Sequence, residues 1–102
     1  MKEITEEAFP GFISLPLAVV TFSSPWCTSC KKVVSALDDL SRELEGQVSF
    51  GACDISAQPG VASSLKVFSL PSSIVFRSGV EVKRFTGPVT GQAMRDALKE
   101  LL

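Results

Sequence analysis

The hydrophobic positions of this chain change period along its length and divide it into alternating strands and helices. Short apolar or alternating stretches are typical of β-strands, whereas apolar residues three and four apart are typical of helices that pack on one face. The predicted strands are Lys2–Thr5, Leu17–Phe22, Val48–Ile55, Ile74–Phe76 and Val80–Phe85. The predicted helices are Glu6–Ser14, a long segment from just after Cys27 to near Gly46, a short one from Gln58 that ends before Pro71, and a final one capped by Thr90.

The order of these elements predicts an α/β fold. A strand, a long helix and a second strand form a βαβ unit, which favours parallel pairing of the two strands. Ser78 and Gly79 supply a turn between the last two strands, so these should form an antiparallel hairpin. We therefore expect one domain, residues 1–102, with a central mixed β-sheet flanked by helices on both faces.

Composition and charge argue against several classes of function. Ten basic and eleven acidic residues give a net charge of −1, which provides no electrostatic footprint for nucleic acid or an anionic membrane. No apolar run approaches the ~20 residues that span a bilayer. The first residues, Met1–Glu7, do not resemble a signal peptide, so a cytoplasmic location is expected. With three cysteines and no histidine, neither a disulfide-stapled secreted fold nor a zinc site within one chain is expected.

Cys27 and Cys30 are the candidate reactive residues. They lie between the apolar strand Leu17–Phe22 and the first turn of the long helix. Unpaired N–H groups and the helix dipole favour a thiolate there, and cysteines three residues apart can close a disulfide with little backbone movement. The alternatives to redox catalysis are a pair that only packs or forms a static bridge, and half of a metal or cluster site shared between two chains.

Several segments of the chain resemble the thioredoxin family. Trp26–Lys31 forms a Trp-Cys-X-X-Cys-Lys motif between a strand and a helix, and Leu70–Ser72 precedes the strand Ile74–Phe76. Asp54–Gly60 and Thr86–Pro88 are also similar to segments of that family, so the likeness spans nearly the whole chain. It implies the thioredoxin fold.

The resemblance assigns roles to the cysteines and their neighbours. It implies that Cys27 is the attacking thiolate and Cys30 the more buried resolving thiol, and that the two form a redox-active disulfide. It also implies that the peptide bond before Pro71 is cis, which leaves the backbone of Leu70 free to hold an extended substrate segment. The residues expected to bind substrate are Trp26, Thr28, Ser29, Leu70, Pro71, Thr86 and Gly87.

The predicted function is that of a protein-disulfide reductase, a thiol-disulfide oxidoreductase that works through a mixed disulfide. No cofactor and no metal are expected, because the Cys27–Cys30 pair carries the electrons and a separate reductase regenerates the dithiol. The expected partners are disulfide-containing proteins, and the chain is expected to be a monomer that binds neither nucleic acid nor membrane. The alternative is a non-catalytic thioredoxin-fold module that binds a partner through the surface around Trp26, Leu70 and Pro71.

The chain also departs from the family pattern beside the cysteines. Thr28 and Ser29 separate them, where the family commonly has Gly-Pro. Thr21 replaces the family's buried acid and Ala52 its partner lysine, so the resolving thiol lacks a carboxylate base and slower disulfide reduction is expected.

Three assignments concern residues outside the motif. Cys53 is expected to be an inert buried thiol, and Asp54 to cap or turn the chain after its strand. Met94 and the phenylalanines are expected in the core.

Overall fold

The computed structural model describes residues Met1–Leu102, which form five strands and four helices. The strands are β1 (Lys2–Glu3), β2 (Ala18–Ser23), β3 (Ser49–Asp54), β4 (Ser72–Arg77) and β5 (Val80–Thr86). The helices are α1 (Phe9–Ile13), α2 (Thr28–Glu43), α3 (Pro59–Ser64) and α4 (Gly91–Leu101). None of these helices combines the length and the apolar character that crossing a membrane requires.

The five strands form one mixed sheet in the order β1-β3-β2-β4-β5. β3 pairs in parallel with β1 and β2, as the predicted βαβ unit requires. β4 pairs antiparallel with β2 and with β5, and the last of these pairings is the predicted hairpin. The mixed sheet predicted from the sequence is therefore confirmed.

Alternation along the strands separates the core into two clusters, one on each face of the sheet. Val19 of β2 belongs to the cluster that contains Val33 and Leu37 of α2, and this side of the sheet is called the α2 face. Val20 of β2 belongs to the cluster that contains Phe9 of α1, and this side is called the α1 face. Helices thus cover both faces, as predicted.

Element boundaries differ from the sequence prediction mainly at turns. α1 begins at Phe9 instead of Glu6, because the preceding residues form a turn in which the N–H of Phe9 donates to the carbonyl of Thr5 at 3.0 Å. α2 ends at Glu43, and Gly46 then adopts a φ of +85°, a left-handed conformation that glycine adopts at no steric cost.

The prediction that every phenylalanine lies in the core is wrong for Phe68. Its side chain is 87% exposed, because it lies in the loop between α3 and β4 and not on a helix or strand that packs against the sheet. Phe12 and Phe85 are half-buried and the other phenylalanines are buried, as is Met94.

Arg84 on β5 attaches this loop to the sheet. Its guanidinium donates hydrogen bonds to the carbonyl oxygens of Leu65 at 2.8 Å and Lys66 at 3.3 Å. The same group forms two hydrogen bonds with the carboxylate of Glu81, at 2.8 and 2.7 Å, which orients it. Because the loop leads directly to Leu70 and Pro71, this contact helps to position the segment that precedes β4.

Candidate active site

Cys27 is the N-cap of α2. Its backbone is extended, with φ −92° and ψ 105°, and its sulfur accepts a hydrogen bond from the backbone N–H of Cys30 at 3.2 Å. A sulfur in this position takes the place of the side-chain oxygen that usually caps a helix. Because the N–H groups and the dipole of the first turn favour negative charge, the thiolate form of Cys27 is stabilised here.

Cys27 and Cys30 form a disulfide in this structure, with their Cα atoms 5.2 Å apart. Cys27 is half-buried, whereas Cys30 is only 1% exposed because it is the first residue of α2 that points into the core. Thr28 and Ser29 between them are both exposed, and the hydroxyl of Ser29 lies 3.6 Å from the sulfur of Cys27. The sulfur predicted to attack is thus the accessible one, and the sulfur predicted to resolve is the buried one.

The loop before β4 contains the second predicted part of the site. The Leu70–Pro71 peptide bond is cis, as the resemblance implies. Pro71 is buried, and its carbonyl accepts a hydrogen bond from the N–H of Gly87 at 2.8 Å. Thr86 pairs with Ser72 in the β4–β5 ladder, so the structure brings the predicted residues Leu70, Pro71, Thr86 and Gly87 together.

Leu70 has a free backbone. Neither its N–H nor its C=O takes part in a backbone hydrogen bond, although the neighbouring strand β4 is paired on both sides from Ser72 to Phe76. Its side chain is half-buried. An extended peptide could therefore pair with Leu70 in the manner of an added β-strand.

Trp26 and Phe68 are the two most exposed large apolar side chains of the chain. Trp26, directly before Cys27, is 80% exposed, and Phe68, two residues before Leu70, is 87% exposed. Trp26 was a predicted site residue, whereas sequence reasoning missed Phe68 by assigning it to the core. Its place between predicted elements, three residues before Pro71, was the available signal for a surface position.

Two open depressions border the cysteines. One, of about 220 Å³, is lined by Cys30 together with Lys31, Asp54 and Glu3, so solvent and charged groups approach the buried cysteine from this side. The other, of about 520 Å³, extends from Ser29 along the space between α2 and the segment that precedes α4.

Asp54 turns the chain after β3, as predicted. One of its carboxylate oxygens accepts hydrogen bonds from the N–H of Ser56 at 2.9 Å and from its hydroxyl at 2.7 Å. These hydrogen bonds hold the pKa of Asp54 below its usual value, so the carboxylate is ionised at neutral pH.

The polar residues beneath α2 carry no charge. Thr21 of β2 is fully buried and pairs with Ala52 on β3 and with Ser73 on β4. The hydroxyl oxygens of Thr21 and Ser73 are 3.1 Å apart and share a hydrogen bond. The replacement of an acid and a lysine by Thr21 and Ala52 thus leaves a neutral row across the centre of the sheet.

Cys53 lies away from the other two cysteines. It belongs to the cluster on the α1 face and is fully buried, and this burial raises the pKa of its thiol from 9.0 to about 11. The Cys, Asp and Glu side chains form no group of three that could hold a metal ion.

Comparison with known proteins places this geometry in a family. The sequence model of thioredoxin matches residues 1–100. The chain belongs to the thioredoxin family. Thioredoxins are disulfide oxidoreductases, and the Cys27–Cys30 pair with Trp26 beside it gives this chain the same thiol-disulfide chemistry.

Individual relatives support the same assignment. A chloroplastic M-type thioredoxin of Spinacia oleracea is 26% identical over 105 residues, which cover 100% of this chain but 58% of the spinach protein, so the chain spans little more than half of its length. A thioredoxin of Staphylococcus aureus is 28% identical over 85 residues, covering 83% of this chain and 82% of that protein. A crystal structure of chloroplastic thioredoxin z superposes with a TM-score of 0.89 over 99% of this chain and 93% of that one, at 18% identity, and shares the fold.

The raised pKa of Cys53 predicts a pH-dependent loss of stability. Between pH ~9 and ~11 the unfolded chain releases the Cys53 proton while the folded chain keeps it, so the free energy of unfolding should fall as the pH rises through this range. Urea unfolding of the oxidised protein at pH 8 and near pH 11 measures this fall. In Cys53→Ala the fall should be smaller, even though the cavity makes this variant less stable at every pH. Equal falls in both proteins would show that Cys53 is not shielded from ionisation.

Proposed function

We propose that this chain reduces disulfides in protein substrates, with Cys27 as the attacking nucleophile and Cys30 as the resolving thiol. The observation that carries this proposal is the asymmetry of the pair, in which a half-buried sulfur caps a helix and a buried sulfur lies three residues behind it. The free backbone of Leu70 supports it further, because Ser72 pairs with Phe22 and Leu70 therefore lies at the end of the sheet where the cysteine pair follows β2, and a static structural bridge would need no such neighbour.

The reaction has two exchange steps. The Cys27 thiolate attacks one sulfur of the substrate disulfide and forms a bond to it, and the substrate S–S bond breaks. The other substrate sulfur is released as a thiolate and takes a proton from solvent. Cys30 then loses its proton to water, and its thiolate attacks the sulfur of Cys27. The second substrate sulfur leaves and is protonated. Two electrons have passed to the substrate, and the chain holds the Cys27–Cys30 disulfide.

The dithiol must then be restored. We propose that a separate reductase supplies two electrons to the Cys27–Cys30 disulfide, so that no organic cofactor or metal is needed in the chain itself. Because such a pair turns over only where it is kept reduced, we expect a reducing compartment such as the cytoplasm. We also expect a monomer, which leaves the surface around the cysteines open to substrate.

Substrate docking is proposed for the surface that surrounds the accessible sulfur. Leu70 offers its backbone N–H and C=O to an extended substrate segment, and Pro71, Thr86 and Gly87 support it where β4 begins and β5 ends. Trp26 and Phe68 present apolar surface before the cysteine pair and before Leu70. The exposed residues Thr28 and Ser29 complete this surface at the start of α2. It suits a substrate whose disulfide lies in an extended segment with apolar side chains.

Removal of the resolving thiol should trap the substrate. In Cys30→Ser the mixed disulfide on Cys27 cannot be resolved, so adducts with protein substrates should accumulate and be released by reductant. Non-reducing electrophoresis of affinity-purified protein from cells measures them. Cys53→Ala is the matched control, since it removes a thiol from the other face of the sheet and should give no adducts. Absence of adducts from Cys30→Ser in oxidising conditions would contradict the mechanism and favour a binding module without chemistry.

Phe68 should contribute to the docking of protein substrates. We expect Phe68→Ser to raise the KM for a protein disulfide such as that of insulin by about 5- to 30-fold, which corresponds to about 1–2 kcal/mol of lost apolar contact. The rate with a small aromatic disulfide, too short to reach residue 68, should be unchanged. Val80→Ser is the control, because Val80 is also exposed (63%) but lies at the hairpin turn, at the opposite end of β5 from Thr86. An unchanged KM in Phe68→Ser would exclude Phe68 from the docking surface.

A further inference from the structure

Two donors reach the sulfur of Cys27, and only one of them is the backbone group that caps α2. The N–H of Cys30 donates at 3.2 Å, and the hydroxyl oxygen of Ser29 lies 3.6 Å from the same sulfur, within hydrogen-bonding range for so large an atom. Cys27 is disulfide-bonded here and has no S–H, so the hydrogen of the second contact must come from Ser29. The accessible sulfur therefore has a side-chain donor beside it.

The hydroxyl of Ser29 is free for this contact because of its place in α2. Serines further along a helix can donate to a carbonyl three or four residues earlier, as Ser41 does to Asp38 at 2.6 Å and Ser64 to Val61 at 3.0 Å. Ser29 is the second residue of α2, so no helical turn precedes it. Its hydroxyl has no hydrogen-bond partner in the chain except the sulfur.

We propose that Ser29 is a catalytic residue whose hydroxyl donates a hydrogen bond to the Cys27 thiolate and stabilises the reduced form of the pair. This inference deepens the proposed function and rests on it, since it requires that the pair cycle between dithiol and disulfide. Hydrogen bonds to a charged acceptor are shorter and roughly twice as strong as those to a neutral one. The sulfur of Cys27 can carry a negative charge in the dithiol form but not in the disulfide, so the hydroxyl favours the dithiol.

Stabilisation of the Cys27 thiolate has consequences for the choice of substrate. It increases the ionised fraction at neutral pH and makes Cys27 a better leaving group, but each thiolate becomes a weaker nucleophile. The pair holds its two electrons more firmly, so a substrate is reduced completely only if its own disulfide accepts electrons readily. Strained or exposed disulfides do so, whereas structural disulfides resist reduction. We therefore expect the substrates to be proteins with labile disulfides.

Charged groups near the pair act on the same thiolate. Lys31 and Lys32 follow Cys30 on α2, and Glu3 of β1 and Asp54 of β3 line the depression that contains Cys30. The lysines favour a nearby thiolate, and the carboxylates oppose it. Loss of a neutral hydroxyl changes none of these charges, so its effect can be measured separately from theirs.

The first test compares the parent chain with Ser29→Ala, both fully reduced. The rate at which iodoacetamide alkylates Cys27 is followed against pH by peptide mass spectrometry, and the midpoint gives the apparent pKa of Cys27. We expect Ser29→Ala to raise this pKa by about 0.5 to 1 unit, equivalent to about 3- to 10-fold less thiolate below the midpoint. The substituted side chain is exposed and alanine favours helix, so the variant should fold, and circular dichroism verifies it.

The same loss should appear in the equilibrium with glutathione. Two molecules of reduced glutathione convert the Cys27–Cys30 disulfide to the dithiol and form one molecule of oxidised glutathione, so two electrons pass to the chain. Above the pKa of Cys27, the equilibrium constant for this reduction should be about 3- to 10-fold lower in Ser29→Ala, equal to about 15–30 mV. Below that pKa both proteins hold Cys27 as a thiol, and their constants should agree. A purely structural role would not produce this dependence on pH.

Two matched variants isolate the hydroxyl of residue 29. Ser29→Thr retains a hydroxyl and should keep both the pKa of Cys27 and the glutathione equilibrium at their parent values. Thr28→Ala removes the adjacent exposed hydroxyl, which makes no hydrogen bond to either sulfur, and should leave the pKa of Cys27 unchanged.

The inference is overturned if Ser29→Ala leaves the pKa of Cys27 where it was, if Thr28→Ala shifts it equally, or if Ser29→Thr behaves like Ser29→Ala. It is also overturned if the change in the glutathione equilibrium persists below the pKa of Cys27. None of these results would touch the proposed function, which is tested by adduct trapping in Cys30→Ser, where Ser29 is retained. Conversely, a shifted pKa together with no adducts would leave the hydrogen bond established and the oxidoreductase cycle rejected.

Discussion

The hydrogen bond from the N–H of Cys30 to the sulfur of Cys27 is the contact on which the site depends. This hydrogen bond caps α2 where the chain enters the helix after β2. Cys27 therefore both caps the helix and presents a reactive sulfur. The helix periodicity then places Cys30 on the buried side of the first turn. A single local constraint therefore produces one accessible and one buried sulfur from two cysteines three residues apart.

The surrounding sheet keeps this arrangement rigid. β2 is central, paired with β3 on one side and β4 on the other, and α2 packs on it through Val33 and Leu37. The loop that carries Leu70 and Pro71 is attached to β5 by Arg84 and by the hydrogen bond from Gly87. The two halves of the site thus belong to different segments of the chain but to the same sheet, which fixes their relative positions.

The centre of the sheet carries no charged side chain at the level of Thr21, which lies between Ala52 and Ser73. Burial of an isolated carboxylate at Thr21 would destabilise the fold, since Ala52 and Ser73 on the adjacent strands offer no countercharge. A pair of hydroxyls avoids that cost. It cannot act as a base at neutral pH. Slower resolution than with a carboxylate base remains the prediction.

Much of the fold could be predicted because it follows from local patterns. Alternation predicted β3 and β5, and the periodic apolar residues of α2 predicted its inner face, whereas the greater burial of Cys30 relative to Cys27 was implied by the family resemblance. The cis bond at Pro71 came only from the family resemblance, since proline alone does not determine it. Phe68 was misassigned because an apolar residue in a loop has no period to reveal its surroundings.

The contact between Thr21 and Ser73 was also out of reach of sequence reasoning. It joins residues 52 positions apart and depends on the register between β2 and β4, which no local pattern encodes. Once that register is known, the same residues that looked like simple departures from the family pattern become a connected polar pair.

The central claim is that the Cys27–Cys30 disulfide opens and closes as part of the function, and a redox titration tests it most directly. The protein is equilibrated in buffers of defined ratios of reduced to oxidised glutathione, extended with dithiothreitol, and the free thiols are counted by mass spectrometry after alkylation. The account predicts one reversible two-electron transition in which Cys27 and Cys30 are alkylated together. A disulfide that stays closed at potentials below about −300 mV, as structural disulfides do, would contradict it.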